Sequence, residues 1–303
     1  LPACGWRPAG RCFFSSHTGV ALAATLDVGF YLVMAYVAAR EILAAKNRNL
    51  PLVVLVLLFG AADALDYLSA FGRSVDAEAG FRAGIAIVTL MISVIGGRII
   101  PSFTRNWLVK QGRDRGLPRQ PNRFDLAAIG LTALALFGWL LAPDATLAGG
   151  ALVAAGLVQF IRLARWGGWR TVRDPLVLIL HVGYVWLPTG LILLGWSVLG
   201  TAVPRTGAVH ALTSGAMATM ILAVMTRATL GHTGRELRAS GATAFAYVLV
   251  TLGALFRVVS SLGGIDYRAG MEISGTLWAG AFILFLLVYG PILVTSHRRS
   301  EPG

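Results

Sequence analysis

The sequence predicts an all-α fold, a polytopic transmembrane helical bundle, on three observations. Hydrophobic residues make up 56% of 303, charged residues only 13%, and the mean hydropathy is +0.71, a composition outside the range of soluble domains. Nine stretches, at approximately 20–40, 51–71, 82–102, 125–142, 145–164, 175–197, 207–228, 243–262 and 272–294, reach the roughly 20 mostly apolar residues that a bilayer crossing requires. The basic residues alternate between the connecting segments. Segments 40–50, 98–123, 162–173, 227–238 and 297–303 hold 19 Lys and Arg; the alternate segments hold 6, namely Arg7, Arg11, Arg73, Arg82, Arg205 and Arg268. This asymmetry places the carboxy terminus in the cytoplasm and the observed amino terminus outside.

The net charge of +12 is almost wholly arginine, since only Lys46 and Lys110 are lysines. Because the basic groups sit between hydrophobic runs, they read as topology signals facing a lipid bilayer, not as a nucleic-acid surface. The chain starts at Leu1 with no methionine before Met34, and no signal peptide is recognisable, so an incomplete product is expected. Three regions follow: an off-pattern amino-terminal segment (1–19), a transmembrane domain (20–294) and a cytoplasmic tail (295–303). Cys4 and Cys12 are the only cysteines, a disulfide or simply part of a tail. The absence of a C-x-x-C pair argues against an iron–sulfur or thiolate zinc site.

Taken in order, the first span carries Asp27 and the second carries Asp63 and Asp66, which share a face at i and i+3. Arg257 falls in the outer half of the eighth span at a similar depth, so a buried ion pair of Arg257 with Asp63 or Asp66 is expected, first of all as a lock between helices. The third span ends in Gly96-Gly97-Arg98-Ile99-Ile100-Pro101. Pro101 predicts a broken helix end, the glycine pair a close backbone approach, and Arg98 and Arg105 either a clamp for a carboxylate or phosphate or an anchor to lipid headgroups. The sixth span places His181, Tyr184 and Pro188 on one face, with Pro188 breaking the helix; His181 reads equally as a metal ligand or as a hydrogen-bonding histidine between helices.

The seventh span repeats His210, Thr213, Met217, Met220, Val224 and Arg227 at helical spacing. That face is expected to turn inward. Its methionines are most simply packing, whereas an ionisable group at membrane depth is a functional candidate. After it, Gly231-His232-Thr233-Gly234 predicts a tight turn, and Thr233 with Glu236 a capping box for a short interfacial helix. His17 and His297 lie outside the spans and carry little weight.

Four motifs together resemble the NnrS family: Gly-Gly-Arg-Ile-Ile-Pro-Ser-Phe-Thr-Arg-Asn at 96–106, His-x-x-Tyr-x-Trp-Leu-Pro at 181–188, His-Ala-Leu-Thr-Ser-Gly from His210, and Met-Thr-Arg-Ala-Thr-Leu-Gly-His-Thr-Gly-Arg at 225–235. The resemblance runs from about residue 20 to 294. It implies a bacterial inner-membrane protein of about twelve helices that holds haem and copper and acts in the response to nitric oxide and nitrosative stress. The family's further amino-terminal helices, with a Trp-His-x-His-Glu-Met type motif, have no counterpart here, although Trp6 and Gly10-Arg11 match part of a family segment.

On this basis His181, His210 and His232 are ligand candidates, since neutral imidazole suits iron and copper, and the Met217 or Met220 thioether suits cuprous copper. Two clusters are expected: an inner one of His181, His232, Arg98 and Arg105, whose guanidinium groups suit haem propionates, and an outer one of His210, Asp63, Asp66 and Arg257. Competing readings are a secondary transporter, for which broken helices and buried charges are the usual signs, and a membrane scaffold without a cofactor. Neither the residues nor the resemblance reveals a catalysed reaction or an oligomeric state.

Overall fold

The structure, a computed structural model, describes residues 17–45, 50–72, 76–200 and 202–294. Cys4, Cys12, His297, most of the 1–19 segment and the 295–303 tail lie outside the described residues. Among those described, nine helices are long and apolar enough to cross a membrane, and the chain is a multi-pass all-α membrane protein. They are α1 (His17–Ala44), α2 (Leu50–Ala70), α3 (Ala79–Lys110), α4 (Arg123–Leu141), α5 (Thr146–Ala164), α6 (Pro175–Val198), α7 (Arg205–His232), α8 (Gly241–Ser261) and α9 (Tyr267–Val294). Their outward residues are large and apolar, such as Leu126, Leu134, Phe137, Leu147 and Leu287, as hydrocarbon solvent requires.

The chain forms two compact units, residues 1–87 and 88–303. In the first, α1 packs on α2, with Gly60 against the Tyr31 side chain, and the Tyr67 hydroxyl donates to Asp27. Arg82 is buried within α3 and pairs with Asp76 at 2.8 Å and Glu78 at 3.6 Å. Its guanidinium holds the exposed Asp76 carboxyl below the usual carboxylate range, helped by the Glu78 backbone N–H.

In the second unit α4 packs on α5, α5 on α6, α6 on α7, and α8 on α9. The α5–α6 seam is built on small residues: a Cβ on Gly195 would lie 2.6 Å from the Gly149 carbonyl oxygen, and one on Gly156 would lie 2.8 Å from that of Pro188. In lipid, where helices gain little from apolar burial, such close approach supplies the packing. Helix starts are capped by side chains: Asn122 and Asp125 form a capping box for α4, Asp174 caps α6 ahead of Pro175, and Ser240 caps α8, each satisfying amides that the first turn leaves open.

Several expectations are corrected. α3 runs unbroken from Ala79 to Lys110 through a buried Pro101, and α6 continues through Pro188. One lost backbone bond is tolerated where neighbouring helices hold the segment on both sides. Gly96 and Gly97 meet side chains, not a backbone: Tyr184 covers the first and the Arg162 guanidinium the second. Arg162 and Arg82, counted above among the connecting segments, are buried inside helices with carboxylate partners. α7 extends to His232, and Thr233 to Glu236 start no helix; the chain turns at Gly234, φ 69°.

The face expected on α7 is interrupted as well. Residues Ala211–Met217 form a π-helix between α-helical Arg205–His210 and Ala218–His232. The wider turn rotates the later residues relative to the earlier ones. Met220 is buried, Met217 half-buried and Val224 exposed, so the sequence stripe is not one inward face.

Candidate functional site in the membrane-spanning bundle

The most polar part of the second unit's interior is centred on Arg162, in the last turn of α5 and 1% exposed. Its Nε donates to Asp125 Oδ1 at 2.8 Å. Its Nη1 donates to the Ser93 carbonyl at 2.8 Å and to the Tyr184 hydroxyl at 3.0 Å, with longer contacts to Ser93 Oγ and Gln159 Oε1. Tyr184 donates in turn to Gln159 Oε1 at 2.8 Å, and the Gln159 amide donates to Ser93 Oγ at 2.7 Å and Thr132 Oγ1 at 2.8 Å. Trp166 packs beside both the guanidinium, 5.3 Å from ring centroid to Cζ, and the Tyr184 ring, 4.7 Å between centroids.

Four helices contribute: Ser93 from α3, Asp125 and Thr132 from α4, Gln159 and Arg162 from α5, Tyr184 from α6. One carboxylate neutralises one guanidinium, and the hydroxyls and amide are mutually satisfied, which is the condition under which buried polar groups rigidify instead of destabilising. Asp125 does double work, since its Oδ2 accepts the Asn122 amide at 3.0 Å in the α4 capping box. Of these residues only Tyr184 stood out in the sequence; the signals it offered for the rest, Gln159 and Arg162 at i, i+3 near the end of an apolar span and Asn-x-x-Asp before another, do not fix the partners.

This core fixes the faces on which the sixth-span histidine sits. Tyr184 and His181 are one turn apart on α6, and the α3 residues Ser93, Gly97 and Thr104 share a face. His181 is buried, and its Nε2 lies 2.8 Å from Thr104 Oγ1. Its Nδ1 has no hydrogen-bond partner among the described residues. Over that nitrogen lies Gly168, where an added Cβ would come within 2.6 Å of Nδ1. Nε2 is thus held between helices by Thr104, and Nδ1 is left without a protein partner but covered closely by the Gly168 backbone, so a ligand at Nδ1 requires Gly168 to move aside.

The other sequence candidates are placed as follows. His210 ends the first α-helical part of α7, immediately before the π-helix, and is half-buried. His232, at the end of α7, and Arg98 and Arg105, on α3, are exposed. Asp63 and Asp66 belong to the first unit and Arg257 to the second; in its own unit Asp63 is half-buried, with Oδ2 lacking a hydrogen-bond partner among the described residues. No group of three His, Cys, Asp or Glu side chains suited to a metal comes together among the described residues.

The sequence also left a membrane-edge group unread. Asp174, just before α6, accepts the Leu176 amide at 2.9 Å, and burial pushes its carboxyl above the usual range in spite of that bond and the charge of Arg227. Arg227 stacks over Phe103 at 3.9 Å.

A family model described as NnrS protein matches residues 3–297. No curated protein and no solved structure matches the chain.

Proposed function

The chain belongs to the NnrS family, and on that premise we propose that it serves in the response to nitric oxide and nitrosative stress. In this reading it is a bacterial inner-membrane protein with a cytoplasmic carboxy terminus, and haem and copper are its cofactors. Family membership over nearly the whole chain carries the reading.

This chain's residues fit such groups singly. His181 suits a metal best: Thr104 holds one ring nitrogen, and the other is unpartnered with only the Gly168 backbone packed against it. His210, half-buried beside a π-helix, suits the rim of a larger cofactor, since π segments recur at functional sites. Arg98 and Arg105, both exposed on the second half of α3, suit anionic substituents such as propionates. His232 is the third imidazole, at the solvent end of α7. When bound, the metal supplies a coordination position for a small diatomic ligand; the protein orients the imidazoles and keeps water from His181.

The test is cofactor content of the purified chain in detergent, by Soret absorbance and metal analysis, for wild type and His181→Ala, His210→Ala and Gly168→Ala. Separate losses are expected for the two histidine variants, and Gly168→Ala is expected to follow His181→Ala, because its Cβ would come within 2.6 Å of Nδ1 and displace the ring. Equal loss of one cofactor from both histidine variants, or no change in either, overturns the assignment.

A further inference from the structure

Where α7 and α9 end and α8 begins, the surface carries an open cleft of about 520 Å³. All three helix ends belong to the second unit, and all are ends of membrane-crossing helices, so the cleft lies at the boundary between hydrocarbon and water. Its mouth carries Arg235, Glu236 and Arg238, all exposed. Neither guanidinium is ion-paired among the described residues. The wall is Val288 and Ile292, half-buried on α9, and the floor includes the buried Tyr289, whose hydroxyl lies 3.0 Å from Thr243 Oγ1.

Two guanidinium groups against one carboxylate leave an excess positive charge at the mouth, and guanidinium groups suit phosphate oxygens. The start of α8 adds little, because Ser240 Oγ already accepts the Thr243 amide at 3.1 Å. The apolar side of the cleft is Leu230 at the end of α7 with Val288 and Ile292 of α9. A ligand matching both halves has a phosphate at one end and an alkyl chain at the other. Basic pockets between helix ends are where such lipids are held.

We propose that this cleft is a binding site for the headgroup of an anionic phospholipid, with Arg235 and Arg238 on its phosphate and an acyl chain along Val288 and Ile292. None of the candidate histidines lines the cleft, and the test reads lipid binding, not cofactor content. The full chain, purified in neutral detergent, is titrated with short-chain phosphatidylglycerol, with short-chain phosphatidylcholine and with inorganic phosphate, and the midpoint of the thermal-stability shift is read.

Phosphatidylglycerol is expected to bind best. Arg235→Gln and Arg238→Gln should each weaken it about fivefold and the pair about thirtyfold, while Glu236→Gln, which removes the opposing carboxylate, should tighten it. Arg113→Gln with Arg115→Gln, in a loop that does not line the cleft, should leave the midpoint unchanged. The proposal is overturned if the loop pair weakens binding as much as the cleft pair, if Glu236→Gln weakens it, or if inorganic phosphate reproduces the shift.

Discussion

Asp125→Asn isolates the charge at the centre of the α3–α6 core while keeping volume and some capping capacity. The Arg162 and Asp125 side chains are 1% and 8% exposed, so the substitution leaves a guanidinium in a dry interior with only neutral acceptors. Removing one member of a buried pair costs about 3–5 kcal/mol. The lower end applies here, about 3 kcal/mol, because Ser93, Gln159 and Tyr184 still accept or approach Nη1 and because Arg162 lies in the last turn of its helix, where the membrane penalty falls off. Part of any loss comes from the capping box, and Asn122→Ala measures that part at about 1 kcal/mol.

Arg162→Met supplies the other corner of a double-mutant cycle. The doubly substituted chain, with no charge at either position, is expected to regain part of the loss, with a coupling of about 2 kcal/mol. The assay is reversible unfolding in mixed micelles by SDS titration, followed by tryptophan fluorescence. An Asp125→Asn variant within about 0.5 kcal/mol of wild type, the range of ordinary surface changes, would refute the reasoning. So would additive single substitutions, which would mean that the two groups act independently.

Gly97→Ala is expected to cost about 1–3 kcal/mol, because its Cβ would overlap a guanidinium already held by four residues; the loss should shrink in the Arg162→Met background, and an equal loss in both would show that another neighbour is strained. Asp174→Asn keeps the Leu176 cap but removes a carboxyl whose folded pKa is raised by burial. The native chain therefore holds its proton at Asp174 more tightly than the unfolded chain, and wild-type stability falls as pH climbs from the ordinary carboxylate value through the raised one. The Asn variant should be the more stable at pH 7 and equal below the ordinary value; melting curves across that window check this, and a pH-independent difference would contradict it. A reporter fused at Arg115, between α3 and α4, should read cytoplasmic, and a periplasmic signal would reverse the orientation inferred from the basic segments.

The nine helices were legible because hydropathy measures the transfer of a whole segment into lipid, and that free energy sums over about 20 residues. Individual polar residues are poorly read by the same measure. Arg162 is the third residue from the end of its span and was counted as a boundary charge, although its carboxylate partner lies 37 positions earlier. Nothing local distinguishes an arginine that reaches water from one that turns inward to Asp125. His181 was singled out from its depth and its turn-spacing with Tyr184, yet Thr104, 77 positions away, decides which nitrogen is held. Pro101 and Pro188 read as breaks because their local cost is known, whereas the packing that absorbs it comes from other helices.

The π-helix at Ala211–Met217 has the opposite origin. Wide turns need small residues where a neighbour intrudes, and Gly215 sits against the Trp186 ring, while Gly190 on α6 receives Leu212. Each glycine makes room for a large residue of the other helix, so α6 and α7 interlock along the stretch that follows His210. The cause of the irregularity is therefore a pairwise fit, written half in Trp-x-x-x-Gly at 186–190 and half in Leu-Thr-Ser-Gly at 212–215. A pattern read along one helix at a time contains neither half's reason. The same interlock explains why the functional candidates of α7 fall on different sides of it: His210 faces the entry to the wide turn, whereas Met220 is carried round to pack beside Gly183 of α6.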